Sequence, residues 1–215
     1  MVGLGDTAPI DLRMNKGGKR FERGWLFKHL DFRGQSSEQW AITGPNGSGK
    51  STLLLSLGGY LSLTEGKLSL HFAERDWPEE QISRHTALAS PYLDIPATLS
   101  VKELLHFHQQ LKGVRWGWDA AEQLSLSGLN SHLHKKTAQL SSGQRQKLRL
   151  LLAVGCNAPI LLFDEPCSHL DQQGFDWYRQ LIQLPLMKSL LLLVASNDPC
   201  EYEGMKPLIH LSKSD

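Results

Sequence analysis

One stretch constrains this chain more than any other. Gly44-Pro45-Asn46-Gly47-Ser48-Gly49-Lys50-Ser51-Thr52 fits the pattern G-x-x-x-x-G-K-[ST]. Glycines let a backbone bend until successive N–H groups converge on phosphate oxygens without Cβ clashes. A helix opening just behind them turns its positive end toward the same anion. The surroundings suit that chemistry: the compact apolar run Trp40-Ala41-Ile42-Thr43 reads as a strand feeding the loop. A helix is predicted from about Gly49 or Lys50 through Leu53-Leu54-Leu55, ended by Gly58-Gly59. The motif alone implies a nucleoside triphosphate, with Lys50 bridging the β- and γ-phosphates and the Ser51 hydroxyl on Mg²⁺.

The rest of the chain alternates strands with helices. Ile10 to Ile42 reads as short strands separated by turns, Lys67 to Phe72 as a half-buried strand, and Thr86 to Ala89 as a short apolar one. Ser100-Val101-Lys102-Glu103 and Ser141-Ser142-Gly143-Gln144 are capping boxes. The first opens a helical stretch that reaches Leu111, breaks around Gly113 to Gly117 and resumes to Leu126; the second opens a helix to Val154. Ile160 to Phe163 and Leu190 to Ala195 are continuous apolar runs, as expected of strands buried on both faces of a parallel sheet. The pattern predicts an α/β fold with a helical insert.

The Ile160 run ends in Asp164-Glu165-Pro166. Behind a phosphate-binding loop, such a pair reads as a magnesium carboxylate, Asp164, and a group that polarises the attacking water, Glu165. Bulk properties narrow the partners. Lys plus Arg number 23 against 22 for Asp plus Glu, so no net field gathers nucleic acid or anionic lipid. Cys156, Cys167 and Cys200 form no CxxC pair, which fits reduced thiols in a cytosolic protein. The start, Met1 to Ile10, lacks the pattern of a secretory signal, and no apolar run is long enough to span a bilayer.

Between the two acidic and phosphate-binding motifs lies Leu140-Ser141-Ser142-Gly143-Gln144. Here the sequence resembles the ATP-binding-cassette (ABC) family, whose signature is Leu-Ser-Gly-Gly-Gln; Ser141, Gly143 and Gln144 match, and Ser142 replaces the first glycine. Ser168-His169-Leu170-Asp171 resembles the family's dimer-facing loop, with Asp171 in its acidic position. Lys19-Arg20-Phe21 resembles the segment whose aromatic stacks on adenine, with Phe21 the candidate and Trp25 the reserve. The resemblance implies a single α/β P-loop NTPase domain over 1–215, with an N-terminal antiparallel β region and an inserted helical subdomain at about 95–139. It further implies ATP and Mg²⁺ as ligands. In the family the signature of one protomer covers the γ-phosphate held by the other, and a transmembrane permease subunit is driven by the pair. A second ABC ATPase subunit, as a homodimer on ATP binding, is therefore expected, with the chain held at the inner face of the membrane through its permease. The compact chain is most similar to bacterial haem-exporter-type cassettes.

Two positions depart from the family pattern. Ser90 stands where a Gln normally begins the loop into the helical insert, and Asn197 stands where a switch histidine is expected. Asn donates a hydrogen bond but carries neither proton nor charge. Glu165, Asn197 and Ser90 are the catalytic candidates, with hydrolysis expected at a reduced rate. Two other readings stay open: a soluble cassette ATPase acting on ribosomes or DNA, and a regulatory ATP-binding module with weak turnover. Trp116-Gly117-Trp118 in the insert reads as core packing ahead of a partner-docking patch.

Overall fold

A computed structural model describes residues 8–22, 24–115 and 117–211, with Pro207 and Leu208 described by backbone alone. The reading of the first residues as lacking a signal, and that of Trp116, lie outside or largely outside this range. Strands β1 (Ile10–Phe21) and β2 (Gly24–Gln35) form a long antiparallel pair. With β4 (Glu65–Phe72) and β5 (Arg75–Trp77) they make a 4-stranded sheet ordered β2-β1-β4-β5. The short strands expected over Ile10 to Ile42 are thus two 12-residue strands and a third of 5 residues. Gly17-Gly18, which interrupts the apolar pattern, sits in a β-bulge: the register shifts between Met14 and Gly17 and again before Lys19.

The second sheet is parallel and 5-stranded, ordered β6-β7-β8-β3-β9. Its members are β3 (Gln39–Thr43), β6 (Thr86–Ala89), β7 (Ile160–Asp164), β8 (Leu191–Ala195) and β9 (Lys206–His210). Every residue of β7 and β8 is buried, as their continuous apolar character requires of strands covered on both faces. Side chains alternate between two cores. Leu161, Phe163, Leu192 and Val194 face one, built with Leu148 and Leu151 of helix α5 (Ser142–Gly155) and Trp177 and Tyr178 of α6 (Gln172–Leu181). Ile160, Leu162, Leu191 and Leu193 face the other, against Leu53, Leu54 and Leu57 of α1 (Lys50–Leu57) and Leu12, Leu68 and Leu70 of the antiparallel sheet.

Both capping boxes form: Ser100 opens α3 (Val101–Lys112) and Ser141 opens α5, each with the reciprocal Glu103 or Gln144 bond. After α3 the chain turns and α4 (Ala120–Leu126) begins behind Asp119, which caps it. Trp118 packs on the core, its indole within reach of Gly155. A short α2 (Glu79–Ile82), α6, β5 and β9 extend what the sequence reading delineated. No helix among the described residues is long and apolar enough to cross a membrane.

Parallel register brings chemistry to one edge. Ala89 pairs with Phe163, Asp164 with Ala195, and Ala195 with Ile42. The carboxyl ends of β6, β7, β8 and β3 therefore finish level, and each loop leaves from the same rim. Leu162 is fully buried two residues before Asp164, so the rim rests on it. Leu162→Ala is expected to lower stability by about 2–5 kcal/mol and Leu162→Met by less than about 1.5 kcal/mol, read by urea denaturation.

Candidate active site

The loop leaving β3 wraps back on itself before α1. Gly44 has φ 142°, and a Cβ there would lie 2.3 Å from the Leu211 carbonyl oxygen, so no larger residue fits. Lys50 is only 5% exposed, and its ammonium donates to the carbonyls of Gly44 and Pro45 at 2.9 and 3.1 Å. Ser48 Oγ is buried with no hydrogen-bond partner among the described residues. Such a hydroxyl inside a glycine-rich cradle fits an anion that accepts from it. The Ser51 hydroxyl donates to Asp164 Oδ1 at 2.9 Å, tying the first turn of α1 to the tip of β7.

Asp164 is 4% exposed, and burial pushes its carboxyl pKa up against the lowering pull of the Ser51 hydroxyl. Glu165 beside it also raises that pKa, while Ser90 and Lys50 lower it. The Ser90 hydroxyl donates to Asp164 Oδ2 at 3.3 Å and accepts from the Tyr92 amide, so both its sides are engaged. Glu165 follows with φ 43°, a left-handed conformation costing about 1–3 kcal/mol for a non-glycine residue. It is held there by its N–H on the Ala195 carbonyl, 2.9 Å away, and by the Ser168 N–H on its own carbonyl. Asn197, exposed beyond β8, donates from Nδ2 to Asn46 Oδ1 at 3.1 Å, linking that rim loop to the phosphate loop.

A pocket of about 440 Å³ gathers Asn46, Gly47, Gly49, Lys50, Ser51 and Thr52 on one side. Leu26, Tyr92 and Glu165 close the others. Leu26 and Tyr92 were not singled out from sequence. Ser90-Pro91, directly before Tyr92, marks a turn at the strand end but does not say which way the ring faces. Phe21 ends β1, exposed, with the Lys19 ammonium 5.3 Å over its ring; it does not line this pocket. Lys28 sits 4.9 Å over the ring of Trp25.

The signature residues lie elsewhere. Ser141, Ser142, Gly143 and Gln144 line a second pocket of about 350 Å³ with Asp171. Ser141 Oγ accepts from the Gln144 amide as the helix cap, and Gln144 Nε2 meets His132 Nε2 at 2.8 Å. A Cβ on Gly143 would lie 2.7 Å from the His169 carbonyl oxygen, whereas Ser142 is exposed, so this backbone takes a side chain at 142 and crowds one at 143. Asp171 caps α6 through the Gly174 amide at 2.8 Å. Glu201, also missed from sequence, is 5% exposed and accepts from the Cys167 amide at 2.9 Å, fastening the loop after Glu165 to the one after Asn197. Among the described residues no group of three or more His, Cys, Asp or Glu is placed to hold a metal by itself. The Ser51 hydroxyl and Asp164 carboxylate are hard oxygen donors and fit Mg²⁺, which commonly takes one or two protein oxygens alongside phosphates.

The sequence pattern of the ABC transporter family matches residues 27–168. The cytochrome c biogenesis ATP-binding export protein CcmA of Idiomarina loihiensis is 30% identical over 184 residues, 85% of this chain and 83% of that one. CcmA of Bradyrhizobium diazoefficiens is 36% identical over 176 residues, 80% of this chain and 84% of its own. Among solved structures, the dimeric structure of a bacterial ABC transporter cassette superposes with a TM-score of 0.76 at 22% identity, covering 94% of each chain. The ATP-binding subunit of another ABC transporter gives 0.73 at 20% identity, covering 87% of this chain and 79% of that one. On the family match and these relatives, the chain belongs to the ABC transporter family, as an ATP-binding, ATP-hydrolysing subunit.

Proposed function

We propose that this subunit hydrolyses ATP·Mg²⁺ at an interface shared with a second cassette and drives a transmembrane permease. One observation carries the reading: the phosphate loop and the signature line two separate pockets of the same chain. Each presents a helix N-terminus suited to an anion, and a head-to-tail pair would bring one of each to a single triphosphate. The amides of Gly47 to Lys50 and the Lys50 ammonium would hold the β- and γ-phosphates, and Ser51 with Asp164 would hold Mg²⁺. Bound there, Mg²⁺ supplies charge neutralisation on the phosphate oxygens. Glu165 takes the proton of the water that attacks the γ-phosphorus as the bond to the ADP oxygen breaks. Asn197, bonded to Asn46, fixes the loop on the far side of the phosphate without donating a proton of its own. Phe21 stacks on the adenine, reaching it from the end of β1. Ser141, Gly143 and Gln144 cover the partner's γ-phosphate, with Asp171 at the seam.

The helical subdomain, about 95–139, faces the permease. In support, α3 leaves Phe107 and Leu111 exposed four residues apart, on one helix face. The export role printed for the CcmA relatives supports export as the direction, with the chain on the inner face of the membrane through its permease. The balance of 23 basic against 22 acidic residues supports no nucleic-acid partner.

Phosphate release by the purified chain is expected to fall at least about a hundredfold in Glu165→Gln, with ATP binding kept, and to vanish with binding weakened in Lys50→Ala. Equal release from wild type and both variants, with the permease supplied, contradicts the reading. Sedimentation of Glu165→Gln with ATP is expected to give a dimer that Ser141→Arg abolishes; a dimer that persists in the double variant removes the signature from the interface.

A further inference from the structure

We propose that Tyr92, not Ser90, is the residue of the loop after β6 that touches the nucleotide, its phenolic hydroxyl donating to the terminal phosphate. The proposal rests on the nucleotide-site reading above and adds to it a contact that neither the sequence pattern nor the relatives assign. Three observations carry it. Ser90 is 5% exposed, lies outside the pocket lining, and has its hydroxyl engaged by Asp164 and by the Tyr92 amide. Tyr92 is 77% exposed and lines the pocket together with Lys50, Ser51 and Glu165, the residues grouped at the reacting end. The backbone that aims it is built rather than loose. The Ser90 carbonyl accepts from the Leu93 amide at 3.1 Å, making a four-residue turn with Pro91 at its second position, where a fixed φ favours it. The Leu93 carbonyl in turn accepts from Arg149 Nε of α5 at 3.0 Å, so the turn is fastened to the helix that Ser141 caps.

A tyrosine hydroxyl at that place can do what a long polar side chain would do at the start of this loop. It donates one hydrogen bond to an anionic oxygen at the distal end of the triphosphate, and only ATP, not ADP, has that oxygen. Ser90 acts through Asp164 instead and touches no phosphate.

Isothermal titration of the full chain with Mg²⁺ and either ATPγS or ADP tests this without needing turnover. Because the side chain is exposed, Tyr92→Phe is expected to fold as wild type, checked by its melting temperature. It is expected to weaken ATPγS about tenfold, the loss of one hydrogen bond to a charged group, while ADP stays within about twofold. Ser90→Ala is expected to leave the ATPγS-to-ADP ratio within about twofold. An unchanged ratio in Tyr92→Phe overturns the proposal, as does a shifted ratio in Ser90→Ala alone. If wild type binds neither nucleotide, or Lys50→Ala binds both as wild type does, the nucleotide-site reading itself fails, which is a different result.

Discussion

A single hydrogen bond joins the two halves of the chemistry: Ser51 Oγ donates to Asp164 Oδ1 across 2.9 Å, between residues 113 apart in the chain. It exists because β3 and β7 both flank β8 in parallel register, so that the helix leaving one loop and the acid ending another strand meet at the same rim. A slip of one residue in β7 would turn Asp164 to the opposite face and carry Leu161 and Phe163 out of their core. The two buried cores therefore set the position of the site. The apolar contacts of Ile160 and Leu162 on one side and Leu161 and Phe163 on the other fix the strand to which the carboxylate belongs.

Around that fixed bond the rim carries local strain and close approach. Glu165 adopts φ 43°, His169 φ 65°, and Gly143 packs where any Cβ would strike the His169 carbonyl. These features are consecutive along one path, from the tip of β7 through the loop to the helix that Ser141 opens. The same path is braced by Glu201 on the Cys167 amide and by Gln146, which donates to the Pro166 carbonyl at 3.0 Å. The loop after β7 is thereby fastened to α5 on one side and to the loop after β8 on the other. The physical basis is hydrogen bonding of backbone that would otherwise have no partner, rather than bulk hydrophobic burial.

Much of this was legible in the sequence where residue type alone dictates geometry. The glycine-rich loop, both capping boxes and the all-apolar strands β7 and β8 follow from local chemistry, and the structure has each of them. Helix α6 carried its own signal, since Gly174, Trp177, Tyr178 and Leu181 recur at helical spacing and are buried. Edge strand β9 carries Pro207, which argues against a strand until its pairing with β3 is known. The direction of Tyr92 depends on a turn closed by Leu93 and a tether from Arg149 on a distant helix, so nothing in the local sequence could give it. Likewise the hydroxyl of Ser90 reads as open until its bond to Asp164, 74 residues away, is seen.

In the proposed function, two helix N-termini from different copies of this chain clasp one triphosphate at the rim of the parallel sheet. A crystal structure of Glu165→Gln with ATP and Mg²⁺ tests it most directly. The γ-phosphate is expected within hydrogen-bonding distance of Lys50 from one copy and of Ser141 from the other. A γ-phosphate that touches only the Lys50 loop, with Ser141 facing solvent in every copy, contradicts it.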